Sequence, residues 1–98
     1  MLKKNYTKTG QSCRVTFKVP PDVDSKKVML CGDFNDWDKK ATVMKPLKDG
    51  SFSVTITLPA NNSYRFKYYL GTHRWENDWD ADGYVRNDFG SEDSLIKV

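Results

Sequence analysis

Strict alternation of apolar and polar residues constrains the fold of this chain more than any other feature. In the clearest segment, residues 51–58, four apolar side chains (Phe52, Val54, Ile56 and Leu58) alternate with serines and threonines. Successive side chains of a β-strand point to opposite faces, so this period predicts a strand with one buried face. No segment shows the 3.6-residue apolar period of an amphipathic helix. The pattern therefore favours an all-β fold.

Alternation also predicts strands over residues 14–19 and 64–70, and shorter apolar runs predict strands over residues 27–31, 42–45 and 94–98. Turns rich in glycine, proline and asparagine separate these segments at nearly regular intervals. Many short strands with such turns are typical of an antiparallel β-sandwich.

One long stretch, residues 71–93, reads as irregular and charged. A loop of this length in a small domain usually has a function. Because 98 residues leave room for one hydrophobic core, we expect residues 13–98 to form a single β-sandwich domain. Residues 1–12 are expected to be a flexible N-terminal segment.

Composition narrows the choice of compartment and partner. No apolar run follows the N-terminal lysines, and no stretch approaches the roughly 20 apolar residues of a membrane span. We therefore expect a cytoplasmic protein with no membrane partner, in which Cys13 and Cys31 are buried free thiols. The net charge of +3, from 16 basic and 13 acidic residues, is too mild for a nucleic-acid interface. A monomer is expected.

Two tryptophans lie in polar, turn-rich segments where alternation would not bury them. Trp37 and Trp75 are predicted to stand side by side in solvent, with their indoles coplanar enough to hold one turn of a curved polysaccharide. An exposed indole stacks well against the C–H face of a pyranose ring, whose hydroxyls remain hydrogen-bonded at the rim. Alternation turns Lys67 outward between them, where its ammonium group can bind sugar hydroxyls, and Arg65 and Tyr69 share that face. These residues predict an open carbohydrate-binding surface.

An acidic segment at residues 78–83 matches the first half of a calcium-binding loop, D-x-D-x-D-G. The match fails at its twelfth position, where Phe89 replaces the required carboxylate, and no helices are predicted on either side. We therefore expect no metal site and no cofactor, with the aspartates acting as turn residues. Trp79 is expected to pack down and anchor the loop.

Catalysis is not predicted. The chain has many carboxylates but no second layer that would form a deep cleft between two of them, as glycoside hydrolysis requires. His73 lies in a predicted turn without a serine or cysteine partner at a suggestive spacing. No catalytic residues are therefore assigned.

Four segments together carry a resemblance to a known family: GDFNDW at residues 32–37, FKYY at 66–69, WEND at 75–78 and GSEDSLI at 90–96. In order and spacing they resemble the glycogen-binding modules of carbohydrate-binding module family 48, over residues 14–98. Such modules occur in β subunits of AMP-activated protein kinase and as N-terminal early-set domains of branching and debranching enzymes. Small bacterial proteins that consist of this domain alone are the most similar. The resemblance implies an immunoglobulin-like β-sandwich that binds α-1,4-glucan.

The resemblance also implies roles for individual residues. Two sugar-stacking tryptophans and a lysine fall on Trp37, Trp75 and Lys67. The last loop brings Phe89 to the place of a leucine that wedges against the glucan, Ser91 to that of a threonine, and Asp93 to that of a sugar-binding asparagine. A carboxylate at that last place accepts hydrogen bonds from hydroxyls but donates none.

Two other positions complete the comparison with the family pattern. Asn77, next to the second tryptophan motif, is a further candidate for extending the surface. Trp79 stands where a proline is often found, and no function is assigned to that difference.

The leading hypothesis is a non-catalytic α-1,4-glucan-binding module whose partner is a glycogen-like polysaccharide or a malto-oligosaccharide. The alternative is a protein-interaction or scaffold domain, associated with an α-glucan-metabolising enzyme, with little or no sugar binding. A third hypothesis is single-stranded nucleic-acid binding through Arg65, Lys67, Tyr69 and the basic N-terminus. It is disfavoured because the glycine-bearing RNA-recognition signature is missing and the acidic 76–93 stretch would repel phosphates.

Overall fold

The computed structural model describes residues 2–23, 25–71 and 74–98. Within these residues nine strands are formed, which are, in chain order, β1 (Leu2–Tyr6), β2 (Ser12–Val19), β3 (Met29–Gly32), β4 (Lys45–Pro46), β5 (Phe52–Pro59), β6 (Ser63–Tyr69), β7 (Trp75–Glu76), β8 (Gly83–Arg86) and β9 (Glu92–Lys97). Two short 3₁₀ helices, Pro21–Val23 and Asp33–Asn35, follow β2 and β3. In the part of the chain that is described, no helix has the length and apolar character needed to cross a membrane.

The strands form two antiparallel sheets. The first sheet has the order β1-β2-β5-β4, and the second has the order β3-β6-β9-β8, with β7 paired to β6. β7 lies on the same side of β6 as β9, because β3 already pairs with residues 66–69 from the other side. The predicted all-β sandwich is confirmed.

The core lies between the sheets and is built from the inward-facing positions of the alternating strands. Phe17 of β2 and Phe66 of β6 meet there edge to face, with ring centroids 5.1 Å apart, and both are fully buried. Burial of each such side chain stabilises the fold by roughly 1.5–3 kcal/mol. In the clearest predicted strand, β5, Phe52 and Leu58 are buried as expected, while Val54 and Ile56 are half-buried against the core.

Three features of the secondary structure differ from the sequence expectation. Residues 1–12 contain a strand, β1, that pairs with β2 over five positions. All five of its residues are half-buried or exposed, so no buried apolar face marks it in the sequence. Besides the pairing with β2, Leu2 packs against the core and Lys4 forms an ion pair with Asp82. The irregular stretch 71–93 contains β7 and β8, which are two and four residues long, too short to give a visible period. The strand expected at residues 42–45 is instead β4, where Lys45 pairs with Ser53.

Both cysteines lie in strands, Cys13 in β2 and Cys31 in β3, and both are fully buried free thiols. Burial raises the pKa of the Cys31 thiol and the nearby Asp38 charge raises it further, against a smaller lowering by Lys39. A raised pKa keeps the nucleophilic thiolate scarce at neutral pH. Cys31 therefore acts as a small buried apolar side chain.

Candidate functional site

The loop after β3 begins with a glycine whose missing side chain makes room for the loop itself. A Cβ atom on Gly32 would lie 2.5 Å from the carbonyl oxygen of Arg65 and 2.8 Å from Cζ of Phe34. The backbone of Gly32 is extended, so the requirement is close approach of neighbours rather than a left-handed conformation. The Phe34 ring folds inward over Gly32 and its centroid lies 5.8 Å from that of Phe17. This contact ties the loop to the core.

The carboxylate of Asp33 fixes the orientation of Trp37. Its Oδ1 accepts a hydrogen bond from the indole Nε1 of Trp37 at 3.0 Å, and its Oδ2 accepts one from the backbone N–H of Arg65 at 2.9 Å. Asp36 and Trp37 both have left-handed backbones, with φ of 56° and 58°. Non-glycine residues rarely adopt this conformation unless their surroundings hold them in it. Trp37 is therefore a half-buried, positioned ring and not a mobile one.

The side-chain amide of Asn35 closes the base of the same loop. Its Oδ1 accepts a hydrogen bond from the backbone N–H of Gly32 at 3.0 Å. Its Nδ2 donates to the carbonyl oxygen of Leu30 at 2.9 Å and to the hydroxyl of Thr42 at 3.1 Å. These bonds join the start and the end of the loop, which explains why an asparagine stands at this position of the GDFNDW motif.

The second tryptophan stands on the outer face of the second sheet, opposite Tyr69 in the pairing of β6 with β7. The ring centroids of Tyr69 and Trp75 are 4.7 Å apart. The ammonium group of Lys39 lies 4.7 Å from the centroid of Tyr69 and 5.6 Å from that of Trp75, within the range of a cation–π contact. Tyr69 and Lys39 thus support Trp75 from the side.

Trp37 and Trp75 lie next to each other, with ring centroids 6.5 Å apart. Their planes are inclined at 60°, so the two indoles are adjacent, as predicted, but are not coplanar. The ring quadrupoles explain the inclination, since an edge-to-face contact is favoured over a parallel sandwich. Trp75 keeps 36% of its surface exposed. The two rings therefore form a concave corner instead of a flat platform.

Across from this corner, the loop between β8 and β9 is organised by one side chain, Asn87. Its Oδ1 accepts hydrogen bonds from the backbone N–H groups of Phe89 at 3.0 Å and Ser91 at 3.1 Å. Its Nδ2 donates to Oδ1 of Asp93 at 3.0 Å. The loop is folded around an amide, and the Phe89 ring projects from its tip with 93% of its surface exposed.

Lys67 lies between the tryptophan corner and the 87–93 loop. It lies on the outer face of β6, as alternation predicts, between the buried residues Phe66 and Tyr68. Its ammonium group lies 3.4 Å from the hydroxyl of Ser91. Asp93, at the base of the loop in β9, is 7% exposed. Lys67 thus lies between the tryptophan corner and the loop, which contributes the Ser91 hydroxyl and the Asp93 carboxylate.

These groups line one open cleft of about 910 Å³. Its lining contains all six residues proposed as principal ligand contacts, namely Trp37, Lys67, Trp75, Phe89, Ser91 and Asp93. It also contains Arg65, one of the proposed extensions. Three further residues complete the lining: Asp33, Asn87 and Asp88. Tyr69 and Asn77, the other proposed extensions, are not among the lining residues. Tyr69 supports Trp75, and the Asn77 amide donates to the carbonyl oxygen of Glu92 and accepts from Ser94.

Sequence reasoning missed Asp33, Lys39, Asn87 and Asp88 as parts of the site. Asp33 stood inside the GDFNDW motif, and its place four residues before Trp37 was the one available signal. No signal marked Asn87, because its partners are backbone groups of a loop whose path depends on the whole second sheet.

The acidic segment 78–83 is organised by Asp78, which is 2% exposed. Its carboxylate accepts hydrogen bonds from the Tyr68 hydroxyl at 2.6 Å and the Asp80 N–H at 2.8 Å. Its N–H donates to the hydroxyl of Ser94, and its carbonyl oxygen accepts from the hydroxyl of Tyr84. Burial, then the Asp78 charge and hydrogen bond, raise the pKa of Tyr68, so its hydroxyl remains a donor. This network fixes the loop, as expected of a turn-making aspartate.

Trp79 departs from its expected role. It does not pack down to anchor the loop, because 72% of its surface is exposed. Asp78 provides the anchor instead. Asp82 turns to the other sheet, where it forms an ion pair with Lys4 at 2.6 Å.

Among residues 2–23, 25–71 and 74–98, no group of three or more histidine, cysteine, aspartate or glutamate side chains could hold a metal ion. His73, in the predicted turn 71–74, lies outside the described residues. The cleft offers hydrogen-bond donors, acceptors and two indole faces, which is the chemistry of ligand binding at an open surface.

The sequence model of carbohydrate-binding module 48 (isoamylase N-terminal domain) matches residues 9–85. The chain belongs to this family. Family 48 modules are non-catalytic and have an immunoglobulin-like early-set fold, so the fold and the carbohydrate-binding class expected from the resemblance are confirmed.

In this family 48 module, the residues matched by the family model form one side of the cleft but not the other. Trp37, Lys67 and Trp75 lie within the matched residues, whereas Phe89 and the rest of the 87–93 loop lie beyond residue 85. The resemblance noted from the sequence extended to residue 98. One side of the cleft is therefore built from the matched part of the chain and the other side is not.

Proposed function

We propose that this domain is a non-catalytic module that binds α-1,4-glucan in the cleft between the Trp37–Trp75 corner and the 87–93 loop. The observation that carries the proposal is the corner itself, two supported indoles with centroids 6.5 Å apart and planes inclined at 60°. Membership of a carbohydrate-binding family gives the ligand class. Among carbohydrates, the geometry of the cleft supports α-1,4-glucan as the ligand.

The 60° angle between the Trp37 and Trp75 ring planes favours an α-linked glucan chain. Glucose units joined by α-1,4 bonds turn progressively and form a curved chain, whereas β-1,4 bonds give a flat ribbon. A concave corner offers indole faces in two orientations, so neighbouring units of a curved chain can each contact one ring. A flat ribbon would contact one indole and lift away from the other.

The polar groups of the cleft suit a ligand that carries hydroxyls and no charge. Lys67 donates hydrogen bonds, Asp33 and Asp93 accept them, and Asn87 contributes an amide. Because both signs of charge line the cleft, a strongly charged ligand would meet repulsion from one set. A shallow site of this kind should bind short oligosaccharides weakly, on the order of 10 μM to 1 mM.

The test is a maltoheptaose titration followed by NMR, with cellohexaose as the β-linked comparison. Trp75→Ala should weaken maltoheptaose binding by about 30-fold, roughly 2 kcal/mol, as expected for loss of an aromatic anchor. Tyr6→Ala removes an aromatic ring that is 50% exposed on the other sheet and serves as the matched control. Equal binding of maltoheptaose by wild type and Trp75→Ala, or tighter binding of cellohexaose, would refute the proposed surface.

A second candidate function is a scaffold domain that docks on an α-glucan-metabolising enzyme. The family description, which names the N-terminal domain of isoamylase, favours it. Retention on amylose resin separates the two candidates. Release of retained protein by maltose supports glucan binding, whereas flow-through of a folded protein supports the scaffold.

A further inference from the structure

Trp79 is the most exposed of the three tryptophans, and it lies outside the cleft described above. Its two neighbours in the chain are fixed: Asp78 is buried within a hydrogen-bond network, and the N–H of Asp80 donates to the carboxylate of Asp78. The network therefore holds the indole in water. An indole 72% exposed in a fixed loop offers a large aromatic face that a ligand can reach without rearrangement of the protein.

A second cleft of about 360 Å³ lies beside this ring. Its lining includes Lys18, Val19 and Asp22 beside the end of β2, and Arg74, Glu76 and Trp79 beside β7. The buried side chain of Tyr68 also lines it. The second cleft thus opens at the margin between the two sheets.

The two clefts share strand β7. Trp75 pairs with Tyr69 on the outer face and lines the first cleft, whereas the next residue, Glu76, pairs with Tyr68 and lines the second. Because side chains of a strand alternate, one two-residue strand presents a group to each cleft. The clefts are therefore adjacent and lie on either side of this strand.

The chemistry of the second cleft resembles that of the first. The Arg74 guanidinium and the Glu76 carboxylate are 3.8 Å apart and each is 47% exposed, so both reach a ligand in solvent. Arg74 supplies donors and Glu76 supplies acceptors beside one indole face. Lys18 and Arg74 bring positive charge to the lining and Asp22 and Glu76 bring negative charge, so a strongly charged ligand such as a phosphate would meet repulsion from one set.

We propose that Trp79 and the second cleft form a second contact for α-glucan, in addition to the Trp37–Trp75 corner. The choice of ligand rests on the proposed function of the first cleft. A glucose unit stacks on the Trp79 indole while its hydroxyls bond to Glu76 and Arg74. A long or branched glucan then engages both clefts of one molecule, whereas a short oligosaccharide occupies one cleft at a time. Polymer binding gains from the second contact through effective concentration.

The three indole N–H resonances in a ¹⁵N-labelled sample report on the two clefts separately during a maltoheptaose titration. Movement of the Trp79 resonance, retained in Trp75→Ala, supports the second contact. If Trp37 and Trp75 respond and Trp79 does not, the second contact is wrong and the proposed function stands. The second contact is also wrong if the Trp79 response disappears in Trp75→Ala, since it is then transmitted from the first cleft. If Trp79 alone responds, the first cleft is wrong. If none responds, both proposals fail.

A binding assay with glycogen is the second test of the proposed contact at Trp79. Trp79→Ala should weaken glycogen binding by about tenfold or more, while the maltoheptaose midpoints of the Trp37 and Trp75 resonances stay unchanged. Trp79→Phe should restore most of the loss, and Tyr6→Ala controls for the removal of an exposed ring. Unchanged glycogen binding in a folded Trp79→Ala variant would overturn the inference.

Discussion

The two walls of the main cleft are built on opposite plans. The tryptophan wall, residues 32–37 with Trp75, is tied to the core through Phe34 and braced by hydrogen bonds at both ends of its loop. The loop wall, residues 87–93, is folded around the Asn87 side chain, and its apolar tip, Phe89, makes almost no contact with the rest of the protein. One wall is part of the sandwich and the other is attached to it.

Because the two walls are built differently, they should contribute differently to the affinity of this shallow site. Rings that are already held in place lose little conformational freedom when a ligand binds, so the tryptophan wall should supply most of the affinity. A projecting side chain on a small loop can adjust to the ligand but must be ordered at the moment of binding. The loop wall should therefore tune the affinity. Three substitutions test this division.

The largest effect is expected at Gly32, where the tryptophan wall meets the sheet. Gly32→Ala places a Cβ atom 2.5 Å from the backbone carbonyl oxygen of Arg65, which cannot move without disturbing β6. We expect a loss of about 2–3 kcal/mol in the free energy of unfolding, measured by urea denaturation, and a loss of maltoheptaose binding because the Trp37 loop shifts.

Gly83→Ala is the matched control, since Gly83 lies in the same sheet and its added Cβ would meet Leu95 at an ordinary 3.5 Å. It should leave the free energy of unfolding within about 1 kcal/mol of wild type. If the two alanine variants behaved alike, the tryptophan wall would not depend on the close approach at Gly32, and its description as part of the sandwich would fail.

The tryptophan wall is also the part of the site that the sequence predicts best. Alternation in β2, β5 and β6 fixes which side chains face outward, and so predicts the direction of Lys67. Trp37 and Trp75 are visible because their segments are polar where an indole is unexpected. Their mutual inclination follows from ring contacts between distant segments, and no local pattern carries that information.

For the loop wall, the sequence predicts which residues line the cleft but not the hydrogen bonds that fold the loop. Phe89, Ser91 and Asp93 were named through family resemblance, whereas Asn87 was not, because its partners are set by the turn between β8 and β9. Trp79 was misjudged for a similar reason. Hydrophobicity predicts burial on average, but the hydrogen bonds of Asp78 decide which side chain of that loop faces inward.

An intermediate effect is expected at Asn87. Asn87→Ala removes the acceptor for two backbone N–H groups and the amide donor to Asp93, so the loop wall loses its fold while the sandwich remains. We expect a loss of about 1–2 kcal/mol in stability and a three- to tenfold weaker affinity for maltoheptaose, measured by titration calorimetry.

Asn62→Ala is the control for Asn87→Ala, because the Asn62 side chain also bonds to the backbone of its own turn, donating to the carbonyl oxygen of Ala60, but lies before β6, away from the cleft. It should lower stability without changing affinity. An Asn87→Ala variant that bound as tightly as wild type would show that the loop wall contributes nothing to recognition.

The smallest effect is expected at Phe89. Because 93% of its surface is exposed, Phe89→Ala removes almost no packing from the folded protein, and stability should stay within about 0.5 kcal/mol of wild type. The ring can gain contacts only from the ligand, so maltoheptaose affinity should fall by a factor of about three. Phe89→Leu keeps an apolar group at the tip and should restore the affinity. A thirtyfold loss in Phe89→Ala, equal to that expected for Trp75→Ala, would reverse the comparison and make the loop wall the anchor.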